Sequence, residues 1–476
     1  MGDNPPTEAG GGLRKGADVD VTIEKFADRG MSLTRIGGYV LFVHGAVPGD
    51  VVRVRILKKK KNFAEGRVVE LLERSPLRIE PRCRYFGSCG GCRWQQLAYE
   101  TQLQAKQDSV AGALSHVAGL DIPIAPIIPS ERQFFYRNKM EFSFSSRRWL
   151  TREEIDSGEE FDSTFALGLH VPRSFSRVLD LHECHLQSEL SVRIVNQFRE
   201  LSRAQGWKAW DVKGHTGYLR HLVVRQSARF PDVMVNLVTN GVDEERVGLV
   251  ADMLRRDLGD VTTFVNTSHT GLAQTSRGQE TMVVFGPGVI RERIGRFEFE
   301  IGPESFFQTN TVQAERLYEE ACRMAELRPE DVVYDLYCGT GTIALLVADS
   351  VQRVVGIESV GEAVRAARTS AEHNGVKNVA FVRGFVERDM TPEFVARHGP
   401  PDLVIVDPPR AGLHPRVVER IAALRPERIV YVSCNPQTQA RDIGLLKEGY
   451  VTTGVQPIDL FPHTDHVETV ASLRVR

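Results

Sequence analysis

The stretch Asp335-Leu-Tyr-Cys-Gly-Thr-Gly-Thr342 joins a β-type run at 331–336 to an apolar helical stretch that begins near Ile343. A strand that turns through glycines directly into a helix is typical of the first unit of a doubly wound parallel sheet. Glycines at 339 and 341 let a ligand approach the backbone at the end of that strand. The stretch therefore predicts a Rossmann-like domain with a nucleotide-type ligand at this edge of its sheet.

The chain continues as alternating strands and helices, which supports a doubly wound sheet in a C-terminal domain at 286–476. Further strands are predicted at 354–358, 380–383, 403–406 and 428–433. Since ligands of such sheets bind at the carboxyl ends of the strands, we expect the functional side chains there.

An acidic residue, Glu358, ends the second predicted strand 23 residues after Asp335. A carboxylate in that position can accept hydrogen bonds from both ribose hydroxyls of a nucleotide. The loop Gly339-Thr-Gly-Thr-Ile-Ala344 lacks the third glycine of a dinucleotide site, and Asp335 suits an ammonium group. These features favour S-adenosylmethionine over a dehydrogenase cofactor, and we interpret Cys338 as a packing residue.

Two later strands end in Asp407-Pro-Pro-Arg410 and in Val432-Ser-Cys-Asn-Pro436. The first is similar to a signature of amino-group methyltransferases, but Arg410 lacks the flat aromatic face that such enzymes place against the amine. The second aims Cys434 at the ligand cleft. A thiolate that adds to carbon 6 of uracil makes carbon 5 nucleophilic, and Glu468 is then the best candidate for removing the carbon-5 proton. From the residues alone, structural roles for both side chains remain open.

Five segments together resemble the RNA uracil-5-methyltransferase family in order and spacing, over nearly the whole chain. They are Phe306-Phe-Gln-Thr-Asn310, Asp335-Leu-Tyr-Cys-Gly-Thr-Gly341, Asp407-Pro-Pro-Arg-Ala-Gly412, Ser433-Cys-Asn-Pro436 and Asp465-His-Val-Glu468. The resemblance implies that Cys434 is the nucleophile and Glu468 the proton acceptor. It also implies a set of methyl-donor contacts: Gln308, Tyr337, Thr342, Glu358 and Asp407. One departure concerns Arg383-Gly-Phe385, where relatives that carry a metal cluster have an Asn, so Phe385 is left out of the predicted site.

A second cysteine group consists of Cys83, Cys89 and Cys92, and Cys184 is the remaining cysteine outside the catalytic domain. Four thiolates suit either zinc or an iron-sulfur cluster, and the spacing does not decide between them. His182 and His185 are further possible zinc ligands. The resemblance implies a [4Fe-4S] cluster. We expect it to have a structural and RNA-positioning role, with four neighbours meeting the phosphate backbone: Arg82, Arg84, Arg93 and Trp94.

Short β segments separated by glycines predict an N-terminal OB-like β-barrel at 18–76, which the resemblance identifies as a TRAM domain. Seven Lys and Arg residues lie between Arg53 and Arg67, against the single acid Glu65. With Tyr39 and Phe63 as stacking faces, this hairpin is predicted to bind RNA. A solvated lysine turn is the alternative.

The remaining segments complete a multidomain α/β chain. We predict a disordered tail at 1–17, an α+β central domain with the iron-sulfur cluster at 77–94 and 126–285, and a linker helix within 95–125. The linker region reads as a surface helix, although the resemblance implies that it packs on the catalytic domain. No apolar run is long enough to cross a membrane, and we expect a cytoplasmic monomer that binds RNA and no membrane.

Substrate choice depends on surface shape, which motifs do not encode. The combination of barrel and cluster favours 23S ribosomal RNA, and the same chemistry on transfer RNA is the alternative. A different class, an iron-sulfur RNA-binding protein without catalysis, predicts a missing nucleophile or base. Cys434 and Glu468 are both present.

Overall fold

The computed structural model describes residues 13–476. The N-terminal β domain is one sheet with strands β1 (Asp18–Thr22), β2 (Lys25–Ala27), β3 (Met31–Ile36), β4 (Tyr39–His44), β5 (Val51–Lys59) and β6 (Phe63–Glu73), in the order β1-β5-β6-β4-β3-β2. Strands β1 and β2 are separate, because the chain leaves β5 after Thr22 and pairs with β3 from Lys25.

Ordered structure begins earlier than the sequence predicts. Leu13 is only 2% exposed and packs in the core of the β domain. The backbone N–H of Gly16 donates a hydrogen bond to Ile56 O at 2.8 Å. The predicted disordered tail is therefore wrong for residues 13–17, and residues 1–12 lie outside the described part of the chain.

The linker region forms helix α1 (Tyr99–Ala113), followed by a π-helical turn at Leu114–Ala118. The prediction of a surface helix is wrong, because Gln102 and Lys106 on α1 are fully buried. Val110 and Leu114 share a hydrophobic core with one face of the C-terminal sheet. This packing agrees with what the family resemblance implies.

The central domain is built on a sheet with strands β7 (Lys139–Ser145), β8 (Arg148–Trp149), β9 (Ala166–His170), β10 (Val178–Asp180), β11 (Leu219–Gln226), β12 (Val233–Thr239), β13 (Thr263–Ser268) and β14 (Glu280–Phe285). Their order is β14-β13-β12-β11-β7-β9-β10-β8. The helices of this region are α2 (Arg152–Ser157), α3 (Glu189–Ala204) and α4 (Glu244–Asp257). Apolar residues of α3 and α4 pack against one face of the sheet around Phe264 and Leu222.

A hairpin, β15 (Ile290–Ile294) and β16 (Phe297–Ile301), leads into the C-terminal domain. Its elements are α5 (Thr311–Ala325), β17 (Val332–Leu336), α6 (Thr342–Ala348), β18 (Arg353–Glu358), α7 (Gly361–His373), β19 (Val379–Arg383), α8 (Val386–Asp389), α9 (Pro392–His398), β20 (Leu403–Val406), α10 (Pro415–Leu424), β21 (Arg428–Ser433), α11 (Pro436–Leu446), β22 (Tyr450–Ile458) and β23 (Glu468–Val475).

The C-terminal sheet has the order β19-β18-β17-β20-β21-β23-β22. Strands β17 to β21 are parallel, as predicted, whereas β23 is antiparallel to both β21 and β22. Consequently, the carboxyl ends of the parallel strands and the amino end of β23 meet at one edge. Within residues 13–476, no helix is both long and apolar enough to span a membrane.

Candidate active site

Predicted site residues from separate strands meet at this edge of the C-terminal sheet. Asp335 and Tyr337 lie at the end of β17, Glu358 ends β18, and Asp407 follows β20. Cys434 follows β21, and Glu468 begins β23. Ser433 on β21 pairs with Thr469 on β23 in antiparallel register. Cys434, which follows Ser433, therefore lies opposite Glu468, which precedes Thr469. Strand pairing thus brings the predicted nucleophile and base side by side.

The Asp335 carboxylate is buried at the end of β17, an inner strand of the sheet. Within residues 13–476 neither of its oxygens makes a hydrogen bond of normal geometry, although the backbone N–H of Ala344 lies near enough to lower the pKa of this carboxyl in part. Burial and the neighbouring Asp407 raise the pKa of Asp335 to about 8. A buried carboxylate without a partner is costly, so this site suits a cationic ligand group such as the ammonium of S-adenosylmethionine.

The glycine loop leaves an open space beside Asp335. Gly339 has a φ of +53°, and a Cβ placed on it would meet no atom within 4 Å. Gly341, at φ +79°, has a different role, because its Cβ would lie 2.6 Å from the ring of Phe381. Gly341 is therefore required for packing, and Gly339 leaves room for a ligand. Cys338 lies in the hydrophobic core behind the loop.

The Glu358 carboxylate is held beside the same loop. Its Oε2 accepts a hydrogen bond from Gly339 N at 3.2 Å, and its Oε1 accepts one from Val360 N at 2.8 Å. Thr342 is the first residue of α6 and is buried. Phe385, which was left out of the predicted site, is 45% exposed, with the Arg388 guanidinium over its ring at 4.5 Å.

Arg410 is a site residue that the sequence reasoning passed over. Burial and then Glu468 raise the pKa of Cys434 to about 11, and the Arg410 side chain, which hydrogen-bonds to the thiol, acts in the opposite direction. Arg410 Nη2 also lies 3.3 Å from His466 Nε2. The Asp407-Pro-Pro-Arg410 motif carries a signal for this role, because a cation stands there in place of an aromatic residue. The guanidinium favours the thiolate that a nucleophile needs.

The Glu468 side chain is buried next to a second acid. Burial and the charge of Asp407 raise the pKa of Glu468 to about 8, against the effect of Arg410. Burial also raises the pKa of Asp407 to about 7. A carboxylate whose pKa lies near neutrality is suited to proton transfer.

Tyr318 on α5 is a further site residue that no sequence motif identifies. It is buried, forms a side-chain hydrogen bond with Gln308, and lies within electrostatic range of Asp407, Glu468 and Asp335. Burial and Asp407 raise its pKa. Helical periodicity predicts only that such a position faces the core, whereas its neighbours depend on how α5 packs over the strand ends.

The second cysteine group comes together near the central domain. Cys184 lies within electrostatic range of Cys83, Cys89 and Cys92. Gly91 N donates a hydrogen bond to Cys89 Sγ at 3.4 Å, and Gln95 Nε2 donates one to Cys92 Sγ at 3.2 Å. No group of three or more His, Cys, Asp or Glu side chains within residues 13–476 is arranged to hold a single metal ion.

The structure corrects part of the expected RNA surface near these cysteines. Trp94 is buried and packs against Phe26 with ring centroids 5.6 Å apart, so it is not available to RNA. The Arg93 guanidinium forms an ion pair with Asp465 at 3.0 Å. Arg82 lies over the rings of Phe134 and Phe135, at 5.0 and 5.1 Å from their centroids. The expectation for Trp94 is therefore wrong.

The charge of the β5–β6 hairpin is also lower than the sequence count implies. Arg53 is paired with Asp20 and Glu70, and Arg55 is paired with Asp18. These acidic partners lie on β1 and on the later part of β6, outside the run 53–67 in which the charges were counted. Lys58 is likewise paired with Glu65 at 3.2 Å, and the exposed Lys60 and Lys61 follow at the tip.

Comparisons with known proteins agree with this geometry. Residues 249–476 match the family model described as tRNA (Uracil-5-)-methyltransferase, and residues 13–69 match the TRAM domain. An uncharacterized RNA methyltransferase of Chlorobaculum tepidum is 41% identical over 96% of each chain. One of Bacteroides thetaiotaomicron is 39% identical over 94% of this chain and 100% of its own.

A solved structure is similar over nearly the whole chain. It is the tRNA (uracil-54, C5)-methyltransferase of Pyrococcus abyssi in complex with S-adenosyl-L-homocysteine. The TM-score is 0.74 at 28% sequence identity, and the match covers 96% of this chain and 100% of that one. The predicted TRAM β domain and methyltransferase fold are thereby confirmed, and S-adenosylmethionine and RNA are supported as methyl donor and substrate. The chain belongs to the RNA uracil-5-methyltransferase family and is an RNA methyltransferase.

Proposed function

We propose that the chain methylates carbon 5 of a uridine in RNA through a covalent bond between Cys434 and carbon 6. The observation that carries this proposal is the β21–β23 register, which sets Cys434 beside Glu468 at the strand ends where Asp335 and Glu358 also lie. Cys434 is only partly exposed. The target uridine must therefore leave its base stack to reach the thiol.

The first step is addition of the Cys434 thiolate to carbon 6, which forms an S–C bond and moves the ring electrons into an enolate. Arg410 favours the thiolate by its charge and its hydrogen bond to the sulfur. When bound, S-adenosylmethionine would supply an electrophilic methyl group to carbon 5 of the enolate, with its S–CH3 bond breaking as the new C–C bond forms and S-adenosylhomocysteine as the leaving group. Asp335 would hold the ammonium of the donor, and Glu358 would hold its ribose; Gln308, Tyr337, Thr342 and Asp407 complete the proposed contacts.

Glu468 then removes the proton from carbon 5. The electrons of the C–H bond form the enolate again, the double bond between carbons 5 and 6 returns, and the S–C bond to Cys434 breaks. This step needs an ionised carboxylate close to carbon 5. The raised pKa of Glu468, about 8, makes the carboxylate a stronger base than an ordinary glutamate.

RNA containing 5-fluorouridine tests the covalent step, because fluorine at carbon 5 cannot leave as a proton. We expect a denaturation-resistant complex with the wild type and none with Cys434→Ala. Cys322→Ala is the matched control, since Cys322 lies on α5 outside the proposed site. A complex that persists with Cys434→Ala would contradict the nucleophile assignment.

We propose 23S ribosomal RNA as the substrate, on the basis of the TRAM domain combined with the cysteine group. Transfer RNA is the second candidate, favoured by the similarity to the Pyrococcus abyssi enzyme. Mass spectrometry of nuclease fragments from cells with and without the gene distinguishes them. The loss of 5-methyluridine from 23S ribosomal RNA supports the first proposal, and a loss confined to transfer RNA overturns it.

We also propose that Cys83, Cys89, Cys92 and Cys184 hold a [4Fe-4S] cluster with a structural role. The support is the set of four neighbouring thiols, the N–H groups that donate to two of the sulfurs, and the apolar side chains that pack around Cys83 and Cys89. N–H donors to sulfur and an apolar setting are typical of protein-bound iron-sulfur clusters. Four protein ligands leave no open iron, so no chemical step is assigned to the cluster.

A further inference from the structure

The loop at 459–467 leads directly into Glu468, the residue that the β21–β23 pairing sets beside Cys434. It connects β22 to β23 and is flanked by Ile458 and Glu468, which pair with each other across the two strands. We call these nine residues the base loop. Its position is held largely by segments that precede the C-terminal domain in the sequence.

A fully buried ion pair lies at the start of the base loop. Lys106 Nζ on α1 is 2.7 Å from Asp459 Oδ1, and both side chains are 0% exposed. Tyr99 donates a hydrogen bond from its hydroxyl to Asp459 Oδ2 at 2.9 Å, and Lys106 Nζ donates another to Phe461 O at 3.1 Å. Because a buried charge is tolerated only with its partner, this pair holds α1 and the base loop in one arrangement.

The middle of the base loop is bound to the segment that follows the cysteine group. The backbone N–H groups of Arg93 and Trp94 donate hydrogen bonds to His463 O at 2.8 and 3.0 Å. Gln102 Oε1 accepts a hydrogen bond from His463 N at 2.8 Å. His463 has a φ of +67°, which a residue with a side chain adopts only when its surroundings impose it.

The end of the base loop is fixed by a charge from the same segment. The Arg93 guanidinium is 3.0 Å from Asp465 Oδ1 and also donates a hydrogen bond to Arg29 O of the β domain at 2.9 Å. Asp465 lies three residues before Glu468. Residues 93–106 thus contact both ends of the base loop. Its start is also bound from elsewhere, because Asp459 N donates a hydrogen bond to Ile128 O at 2.9 Å and Asn310 Nδ2 donates one to Leu460 O at 2.8 Å.

We propose that Lys106 and Arg93 are positioning residues for proton removal by Glu468, acting through the base loop. This inference rests on the proposed covalent mechanism. Cys434 lies between β21 and α11 and is not part of the base loop, which approaches the nucleophile only indirectly, through His466 Nε2 at 3.3 Å from Arg410 Nη2. Disturbing the loop should therefore slow removal of the carbon-5 proton more than it slows formation of the Cys434 bond. The methylated covalent complex, which is the species between these two steps, should accumulate.

The main test compares Lys106→Met with Arg428→Met. Arg428 and Asp331 form another buried ion pair, within the C-terminal domain, with both side chains 2% exposed. That pair lies at the amino ends of β17 and β21, the edge of the sheet opposite the site. Both variants lose a buried cation and are expected to lose stability, but only Lys106→Met touches the base loop.

Each variant is incubated with RNA and methyl-labelled S-adenosylmethionine, and the labelled protein–RNA complex is measured on a denaturing gel. We expect Lys106→Met to accumulate the complex several-fold above wild type, while turnover falls about 10- to 100-fold, as misplacement of a reacting group by about 1 Å does. The rate of complex formation with 5-fluorouridine RNA should stay within about twofold of wild type. Arg428→Met should match wild type in the complex it accumulates.

If Lys106→Met does not fold, Arg93→Met tests the same inference. The Arg93 side chain is 46% exposed, so its replacement removes the ion pair to Asp465 without leaving a buried hole. We expect a smaller accumulation of the same complex, and restoration of turnover in Arg93→Lys.

Equal loss of both steps in Lys106→Met, or equal accumulation in Arg428→Met, would overturn the inference, as would an Arg93→Met variant that accumulates nothing above wild type. The proposed mechanism itself fails in a different way: the wild type would then form no complex with 5-fluorouridine RNA.

Discussion

At the scale of single residues, Asp335 decides how the donor site responds to pH. With a pKa of about 8, the folded chain keeps a proton at Asp335 through much of the range from pH 4 to 8, where an ordinary aspartate has released it. The folded state then binds more protons than the unfolded state, so stability falls as pH rises through this range. Glu468 and Asp407, with raised pKa values of about 8 and about 7, act in the same direction.

The ammonium of S-adenosylmethionine should reverse this effect at Asp335. A bound cation favours the carboxylate, so we predict that binding near pH 7 releases close to one proton and that affinity rises about 50-fold between pH 6 and pH 8. Titration calorimetry in buffers of different ionisation enthalpy measures the proton release. Asp335→Asn should bind weakly at every pH without releasing this proton; a wild-type affinity that does not change with pH would contradict the prediction.

At the scale of elements, the β5–β6 hairpin separates two kinds of positive charge. Arg53 and Arg55 lie within the strand and are paired with acids of the same sheet, whereas Lys60 and Lys61 are exposed near the tip. A protein cation that contacts an RNA phosphate releases a bound counterion, so the salt dependence of RNA affinity counts the cations that make such contacts. The hairpin tip is therefore the part of this element that is suited to RNA.

We predict that Lys60→Gln combined with Lys61→Gln lowers RNA affinity and reduces the slope of log affinity against log salt by about 1 to 2. Arg55→Gln is the matched control, since its charge is already balanced by Asp18, and it should change the slope by much less. Fluorescence anisotropy at several salt concentrations gives both quantities. Equal changes in the two proteins would show that pairing within the sheet does not select the RNA-binding cations.

At the scale of the whole molecule, the cysteine group joins two distant parts of the chain. Cys83, Cys89 and Cys92 precede α1, whereas Cys184 follows β10 of the central domain. A ligand held by all four would stabilise the path of residues 83–94, which leads to the contacts of Arg93 and Trp94 with the base loop. The cysteine group and the active site are thus connected through one short segment.

We predict that protein purified without oxygen contains about four iron and four sulfide per chain, and that Cys184→Ser loses both and melts at a lower temperature. Elemental analysis, sulfide determination and thermal unfolding measure these quantities. Cys322→Ser is the control, since Cys322 lies on α5, away from the cysteine group. A single zinc with no sulfide would replace the iron-sulfur assignment with a zinc site.

The strands and the glycine loop of the C-terminal domain were predictable because their signals are local. The bounds 403–406 and 428–433 agree with β20 and β21, since an apolar run followed by a turn suffices to define each. The family resemblance added roles for Cys434 and Glu468 that the residues alone left open. The roles of Arg410 and Tyr318 were not predictable, because each depends on side chains that are brought near it only by folding, such as Cys434 for Arg410 and Gln308 for Tyr318.

The amino-acid sequence by itself determined the strand, turn and helix order, the glycine loop at Asp335 and the cysteines available for chemistry. Tertiary structure decided which of these meet. Antiparallel β23 brings Glu468 to Cys434, α1 buries Lys106 against Asp459, and the β domain encloses Leu13 and Trp94. The physical reason is that periodicity and turns are set by neighbours along the chain. The partner of a buried charge is set by packing between segments that lie hundreds of residues apart, as Lys106 and Asp459 do.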